Sequence, residues 1–159
     1  MEKQERRKGI KNLCFDDASI DLALTIVDKV EKPLELLFYL MRRENQRAMV
    51  LMLISANNVD MDAFLQEKKR ETDILYKVDE TRNIYAMICQ DTRVDEGYHF
   101  AQRLHRSLEE VGAEEAYVSE VEISSTNYEA KEVIFRLIEL YFTAANSGQT
   151  GEINFYAFS

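Results

Sequence analysis

The sequence predicts an α+β fold: five strands forming one sheet, helices packed on it, and two further helices ahead of it. Three observations carry this. Residues 74–78 and 84–88 are two β-prone runs of five, and the polar group Asp79-Glu80-Thr81-Arg82-Asn83 between them suits a hairpin turn. Residues 48–55, AMVLMLIS, are a near-continuous apolar run, the pattern of a central strand buried on both faces. The middle of the chain alternates in the order β-α-β-β-α-β, the split βαβ plan, for which one layer of helices on an antiparallel-rich sheet is expected.

The elements follow in order. Residues 1–13 are a charged lead-in. Asp16 or Asp17 caps a first helix running to about Val30, with Ile20, Ala23, Leu24, Val27 and Val30 on one stripe. Pro33 suits the first turn of a second helix over residues 34–43. The stretch from Leu34 to Met41 is apolar nearly all round, which means either a deeply packed helix or one covered by another chain. After the central strand, Ala56-Asn57-Asn58 is an exit loop and Asp60 caps a helix to about Thr72. Behind the hairpin, Thr92-x-x-Asp95 reads as a capping box opening a helix to about Val111, with Gly97, Ala101, Leu104, Leu108 and Val111 inward. Residues 116–124 form a strand with Tyr117, Ser119, Val121 and Ile123 on one side. Thr126-x-x-Glu129 reads as a second capping box, and the helix behind it turns Ile134, Leu137, Ile138, Tyr141 and Ala144 inward. Asn146-Ser147-Gly148 stops that helix, and residues 152–158 are the last strand.

Composition narrows the function classes. At 159 residues and 46% apolar content, one domain with a full core is expected. A formal charge of −9 speaks against general binding of nucleic acid or anionic membranes. It leaves room for one small anionic ligand in a local basic pocket, for which Lys68, Lys69, Arg70, Lys77, Arg103 and Arg106 are candidates. The charged N-terminus has no apolar segment behind it, so no signal peptide is expected, and the apolar runs at 34–41 and 49–54 are too short to span a bilayer. Cys14 and Cys89 make no disulfide framework, which points to a reducing cytoplasm. His99 and His105 read as helix-surface residues, and the acids of Asp60-Met61-Asp62-Ala63-Phe64 as ordinary helix-start partners.

One arrangement is more specific. Arg70-x-x-Asp73 is followed by the five residues 74–78 and then by the turn at 79–83. This resembles the core of a GGDEF domain, the diguanylate cyclase fold, in which an Arg-x-x-Asp pair precedes the signature hairpin by five residues. The likeness covers roughly residues 34–159, leaving 1–33 as lead-in and helix. Its closing part looks like Leu140 to Gly148 followed by Ile153-Asn154-Phe155-Tyr156, and Arg103 falls where the family has a second ligand-binding arginine. The resemblance implies a nucleotidyl cyclase-like sheet and an inhibitory-type site for cyclic di-GMP made of Arg70, Asp73 and Arg103.

The departures are as informative. The family places a metal-binding aspartate at the end of the first strand and glycines in the hairpin; here stand Ile54-Ser55-Ala56-Asn57-Asn58 and Asp79-Glu80. Residues 55–70 are too few for the family's two helices. The expected reading is therefore a degenerate GGDEF-like domain that is not an enzyme, with no catalytic residue, metal or cofactor assigned. It is similar to the cyclic di-GMP receptor domain of PelD-type exopolysaccharide and biofilm regulators, and it would relay the ligand to a protein partner or adjoining domain. The alternative is a dimerisation or interaction module of the same fold that binds no nucleotide, with a homodimer formed through the helix from Leu34 to Met41.

The chemistry fits the residue types. Guanine offers O6 and N7 acceptors, which a guanidinium matches in pairs. Its N1–H and N2–H donors suit a carboxylate. The expected roles are Arg70 and Arg103 on guanine edges or phosphate, and Asp73 accepting from N1 and N2. Tyr76 and Tyr98 are candidates for the pocket's border.

Overall fold

The computed structural model describes residues 15–44, 48–148 and 152–159. These form α1 (Asp17–Glu44), β1 (Met49–Asn57), α2 (Met61–Lys68), β2 (Ile74–Asp79), β3 (Ile84–Gln90), α3 (Val94–Glu110), β4 (Glu114–Ile123), α4 (Ala130–Ser147) and β5 (Asn154–Phe158). The α+β architecture is as the sequence predicts. Cys14 and the lead-in lie outside the described residues.

The sheet order is β2-β3-β1-β4-β5. β1 pairs antiparallel with β3 and with β4, β2 pairs antiparallel with β3, and β5 joins β4 in parallel. β1 is buried along its length up to Asn57, because helices cover both faces of the sheet. Met49, Leu51 and Leu53 meet α1 and α4, while Val50, Met52 and Ile54 meet α2 and α3. The single helical layer expected is thus replaced by two layers. The physical reason lies in the strands: both alternations of β1 and of β3 are apolar, so each face needs a cover.

The two N-terminal helices run into one another as α1. Pro33 sits inside it, yet the buried stripe Ile26, Val30, Leu34, Leu37, Phe38 and Met41 passes across it without a break. Packing against the sheet outweighs the missing N–H. Asp16 caps this helix, accepting from the Ser19 amide at 2.7 Å. Asp60 caps α2 in the same way, accepting from the Ala63 amide at 3.2 Å.

Neither predicted capping box forms. The N-cap residues are Arg93 for α3 and Glu129 for α4, without side-chain cap bonds. α2 ends at Lys68 and not near Thr72, so Arg70 and Asp73 lie in a turn. Val111 is exposed and His105 is buried, both against expectation. α3 ends at Glu110, which frees Val111 from its inward stripe, while His105 sits beside Leu104 and Leu108 on the packed face. Gly148, in the left-handed region at φ 69°, ends α4 as expected.

One contact joins α3 to the sheet tightly. A Cβ at Gly97 would lie 2.8 Å from Glu120 Oε2 and 2.9 Å from Val50 Cγ2. Helix propensity alone favours alanine over glycine by about 1 kcal/mol. Overpacking typically costs about 1–3 kcal/mol and is expected to win. Gly97→Ala should therefore lower the urea midpoint of unfolding; a raised midpoint would show that α3 has room to retreat.

Candidate functional site

The ends of three strands meet at one edge of the sheet. β2 starts at Ile74 beside Ile88, β3 ends at Gln90 beside Met49, and β1 begins there. The turn before β2 carries Arg70 and Asp73. Asp73 donates its amide to Arg70 O at 3.1 Å, and Arg70 donates its own to Asp73 Oδ2 at 2.8 Å. The side chains close the same ring: Arg70 Nε reaches Oδ1 at 3.1 Å and Oδ2 at 3.2 Å, and Nη2 reaches Oδ1 at 2.9 Å. The Asp73 side chain is 0% exposed and that of Arg70 is 45% exposed. The carboxylate stands behind the guanidinium with both oxygens occupied. It is placed to hold Arg70 and not to touch a solute. The hydrogen bond to Asp73 raises the Arg70 pKa, so the arginine is cationic throughout the working range.

Behind the pair lies Cys89, a buried thiol whose pKa is raised first by burial and then by Asp73. Such a thiol is unreactive.

In front of the pair, Arg70 faces α3. A hollow of about 290 Å³ is lined by Arg70, Thr92, Glu96, His99, Phe100 and Arg103. A second of about 300 Å³ shares Arg70, Phe100 and Arg103 and adds Lys68, Leu104 and Ser107. Together they form one groove lined by two arginines, one from the turn before β2 and one from α3. The Arg103 guanidinium carbon lies 5.8 Å from the centre of the Phe100 ring. The fold therefore brings Arg70 and Arg103 together and sets Asp73 out of reach. Tyr98 instead packs edge-on against Phe155, with centroids 5.5 Å apart, and Tyr76 packs into the core beside α1 and α4. Lys69 is tied to the carbonyls of Arg70 and Asp73.

A larger hollow, about 520 Å³, lies between α1 and the start of α4. Glu31, Glu35 and Glu129 line it beside Arg42 and Lys131, and Lys131 is paired with Glu31 at 3.8 Å. Its carboxylates make it the poorer place for an anion.

At the metal positions of the family that the sequence resembles, other groups stand. Ser55 is buried in β1, with its hydroxyl 2.9 Å from that of Tyr141. Asp79 accepts from the Arg82 amide at 3.0 Å and from its guanidinium at 3.5 Å. Among the described residues, no group of three or more His, Cys, Asp or Glu side chains is gathered to hold a metal ion. The donor set does not fit the metal pair of the family that the sequence resembles.

No protein-family profile matches the chain, and no curated protein matches it. Solved structures do. It is similar to the active GGEEF domain of a diguanylate cyclase from Vibrio cholerae, at 12% identity and TM-score 0.60, covering 77% of this chain and 91% of that one. It is similar to the diguanylate cyclase SiaD of Pseudomonas aeruginosa, solved with its activator SiaC, at 12% identity and TM-score 0.64, covering 96% and 68%. The GGDEF domain of DgcB from Caulobacter crescentus, in complex with c-di-GMP, matches at 8% identity and TM-score 0.57, covering 74% and 83%. The fold is that of GGDEF domains. This corrects the expectation that the chain is not an enzyme: its fold is shared with an active diguanylate cyclase domain and gives no ground for setting catalysis aside.

The first turn of α3, on the far side of the helix from solvent, covers an unusual group. Glu120 on β4 is fully buried and neither carboxyl oxygen has a hydrogen-bond partner. Burial, and secondarily the charge of Glu122, push its pKa up to about 8. Below the ordinary value of 4.5 the proton is bound in both folded and unfolded chains. Between 4.5 and about 8 the unfolded chain releases it while the folded chain keeps it, so stability falls as pH rises and levels off above about 8. The slope approaches about 1.4 kcal/mol per pH unit. Glu120→Gln should remove this component. The stability of the parent relative to that variant is expected to fall steadily from pH 5 to 7.5 in urea titrations; a difference independent of pH would show that Glu120 is solvated or paired.

Proposed function

We propose that the domain binds cyclic di-GMP in the groove between Arg70 and Arg103 and passes its occupancy to a protein partner or adjoining domain. The observation that carries this is the pair of arginines, distant in sequence, that line the same two hollows beside an aromatic ring. The relative bound to c-di-GMP supports the choice of ligand.

Each residue has a distinct part. Arg103 is exposed and its fork is open, so it takes the O6/N7 edge of a guanine or two oxygens of a phosphate. Phe100 offers a face for the base. Arg70 supplies the second positive charge. Asp73 contributes through Arg70 alone, since no oxygen of it is open to a ligand. The ligand bridges the turn before β2 and the outer face of α3, so occupancy is felt by both.

A second reading is favoured by α1. Leu36, Tyr39 and Leu40 are 58%, 52% and 38% exposed on its outer side, an apolar surface suited to a partner or a second copy. The two readings are compatible.

The cleanest test is Arg103→Ala. Arg70→Ala is less clean, because it leaves Asp73 buried without its cation and so also destabilises the fold. Calorimetric titration of Arg103→Ala with cyclic di-GMP should show a loss of about 1–3 kcal/mol in binding, with the melting temperature of the free protein little changed. Equal affinity in parent and variant would remove Arg103 from the site.

A further inference from the structure

Thr92 reads in the sequence as a helix cap, but the structure employs its hydroxyl elsewhere. Oγ1 donates its one hydrogen to Gln90 O at 2.9 Å. That leaves its lone pairs to face Arg70, whose Nη2 donates to it at 2.6 Å. The Thr92 amide donates to Ala48 O at 3.2 Å, and the residue is 2% exposed. Gln90, whose carbonyl receives the hydroxyl, reaches back with Nε2 to Thr72 O at 2.9 Å. The hydroxyl is thereby pinned to the ends of β3 and β1, while the guanidinium it holds belongs to a turn 22 residues earlier.

The donors of Arg70 can be counted. Nε gives its hydrogen to Asp73. Nη2 gives one hydrogen to Asp73 and the other to Thr92. Nη1 gives no hydrogen to an oxygen or nitrogen acceptor among the described residues, the Cys89 thiol behind the pair being the other group that interacts with the guanidinium. A guanidinium held only by Asp73 would still be open along its outer edge, Nη1 with Nη2, and would read two acceptors at once. Held by Thr92 as well, it presents Nη1 and its flat face.

We infer that Thr92 is a positioning residue for the ligand groove: it fixes the Arg70 guanidinium so that Nη1 is the donor a ligand meets. The ligand then engages Arg70 through one acceptor, a phosphate or guanine oxygen, and leaves paired recognition to Arg103. This rests on the ligand reading above, but the clamp itself is measurable without a ligand.

The experiment compares the parent with Thr92→Val, which keeps the shape and loses the hydroxyl, and with Thr92→Ser, which restores it. Two quantities are read on each folded protein: cyclic di-GMP affinity by calorimetry, and the rotation rate about the Arg70 Cζ–Nη2 bond by nitrogen-15 NMR. Freed of Thr92, the guanidinium no longer holds the one orientation that offers Nη1, so the rotation is expected to speed roughly tenfold in Thr92→Val and the affinity to shift by up to a similar factor, whichever way the second donor acts. Thr92→Ser should match the parent in both. A purely structural threonine would lower the melting temperature of Thr92→Val and leave affinity and rotation unchanged, which would overturn the inference. Thr92→Val binding like the parent while Arg103→Ala loses binding would also overturn it. If the parent takes up no cyclic di-GMP yet Arg70 is freed in Thr92→Val, the clamp holds and the choice of ligand falls.

Discussion

β1 is the constraint on which the rest depends. It is buried on both faces and paired on both edges, so every other element is placed by reference to it. Its partners β3 and β4 are both antiparallel to it, which brings the end of β3 and the end of β4 to the start of β1. The chain leaves β3 at that edge, turns at Thr92 and begins α3 over the face carrying Val50 and Met52. β2, paired outside β3, begins at the same edge and brings the turn with Arg70 along. The groove is thus a consequence of strand order. Two arginines meet because one precedes a hairpin and the other rides the helix that follows it.

This accounts for what was legible in the sequence. The apolar run at 48–55 announces a doubly covered strand, and the polar break at 79–83 announces the hairpin. Both are local patterns with one physical solution. Arg103 is singled out in the sequence by the family resemblance, and the structure sets it on the exposed face of α3 beside the groove. Glu96, His99 and Phe100 share its face at three- and four-residue spacing, a signal present in the sequence but not drawn on. Other features were not legible because they depend on distant partners. Thr92 satisfies a local capping pattern, yet a guanidinium from another turn captures its hydroxyl. Pro33 is a local helix-start signal that packing along α1 overrides. A helix continued to about Thr72 would set Arg70 and Asp73 one turn apart at its end, but α2 stops first and a tight turn joins them instead. That difference changes the chemistry. On a helix face both groups would point outward together; in the turn the carboxylate is folded under its own arginine.

Two buried carboxyl groups, Asp73 in the turn before β2 and Glu120 beneath α3, have met burial in opposite ways. Asp73 receives an amide and a guanidinium, so its charge is matched where it sits. Glu120 receives nothing, and it keeps its proton instead. The consequences for the groove differ accordingly. A neutral Glu120 adds no negative potential beneath α3, so it does not oppose an anion bound on the helix's outer side. Asp73 does carry its charge close to the groove, but that charge is spent on Arg70. With Arg70 and Asp73 cancelling one another, what remains for a ligand is the local excess of Lys68 and Arg103 over Glu96, with Arg70 contributing its donors. A chain of net charge −9 can therefore present a positive recess, because burial and pairing remove nearby acids from the balance. The same reasoning excludes the larger hollow beside α1. There Glu31, Glu35 and Glu129 stand on the lining itself, and the lysine is already paired with one of them. Cavity size favours that hollow, but the sign of the field favours the smaller groove, and for a phosphate-bearing ligand the field decides.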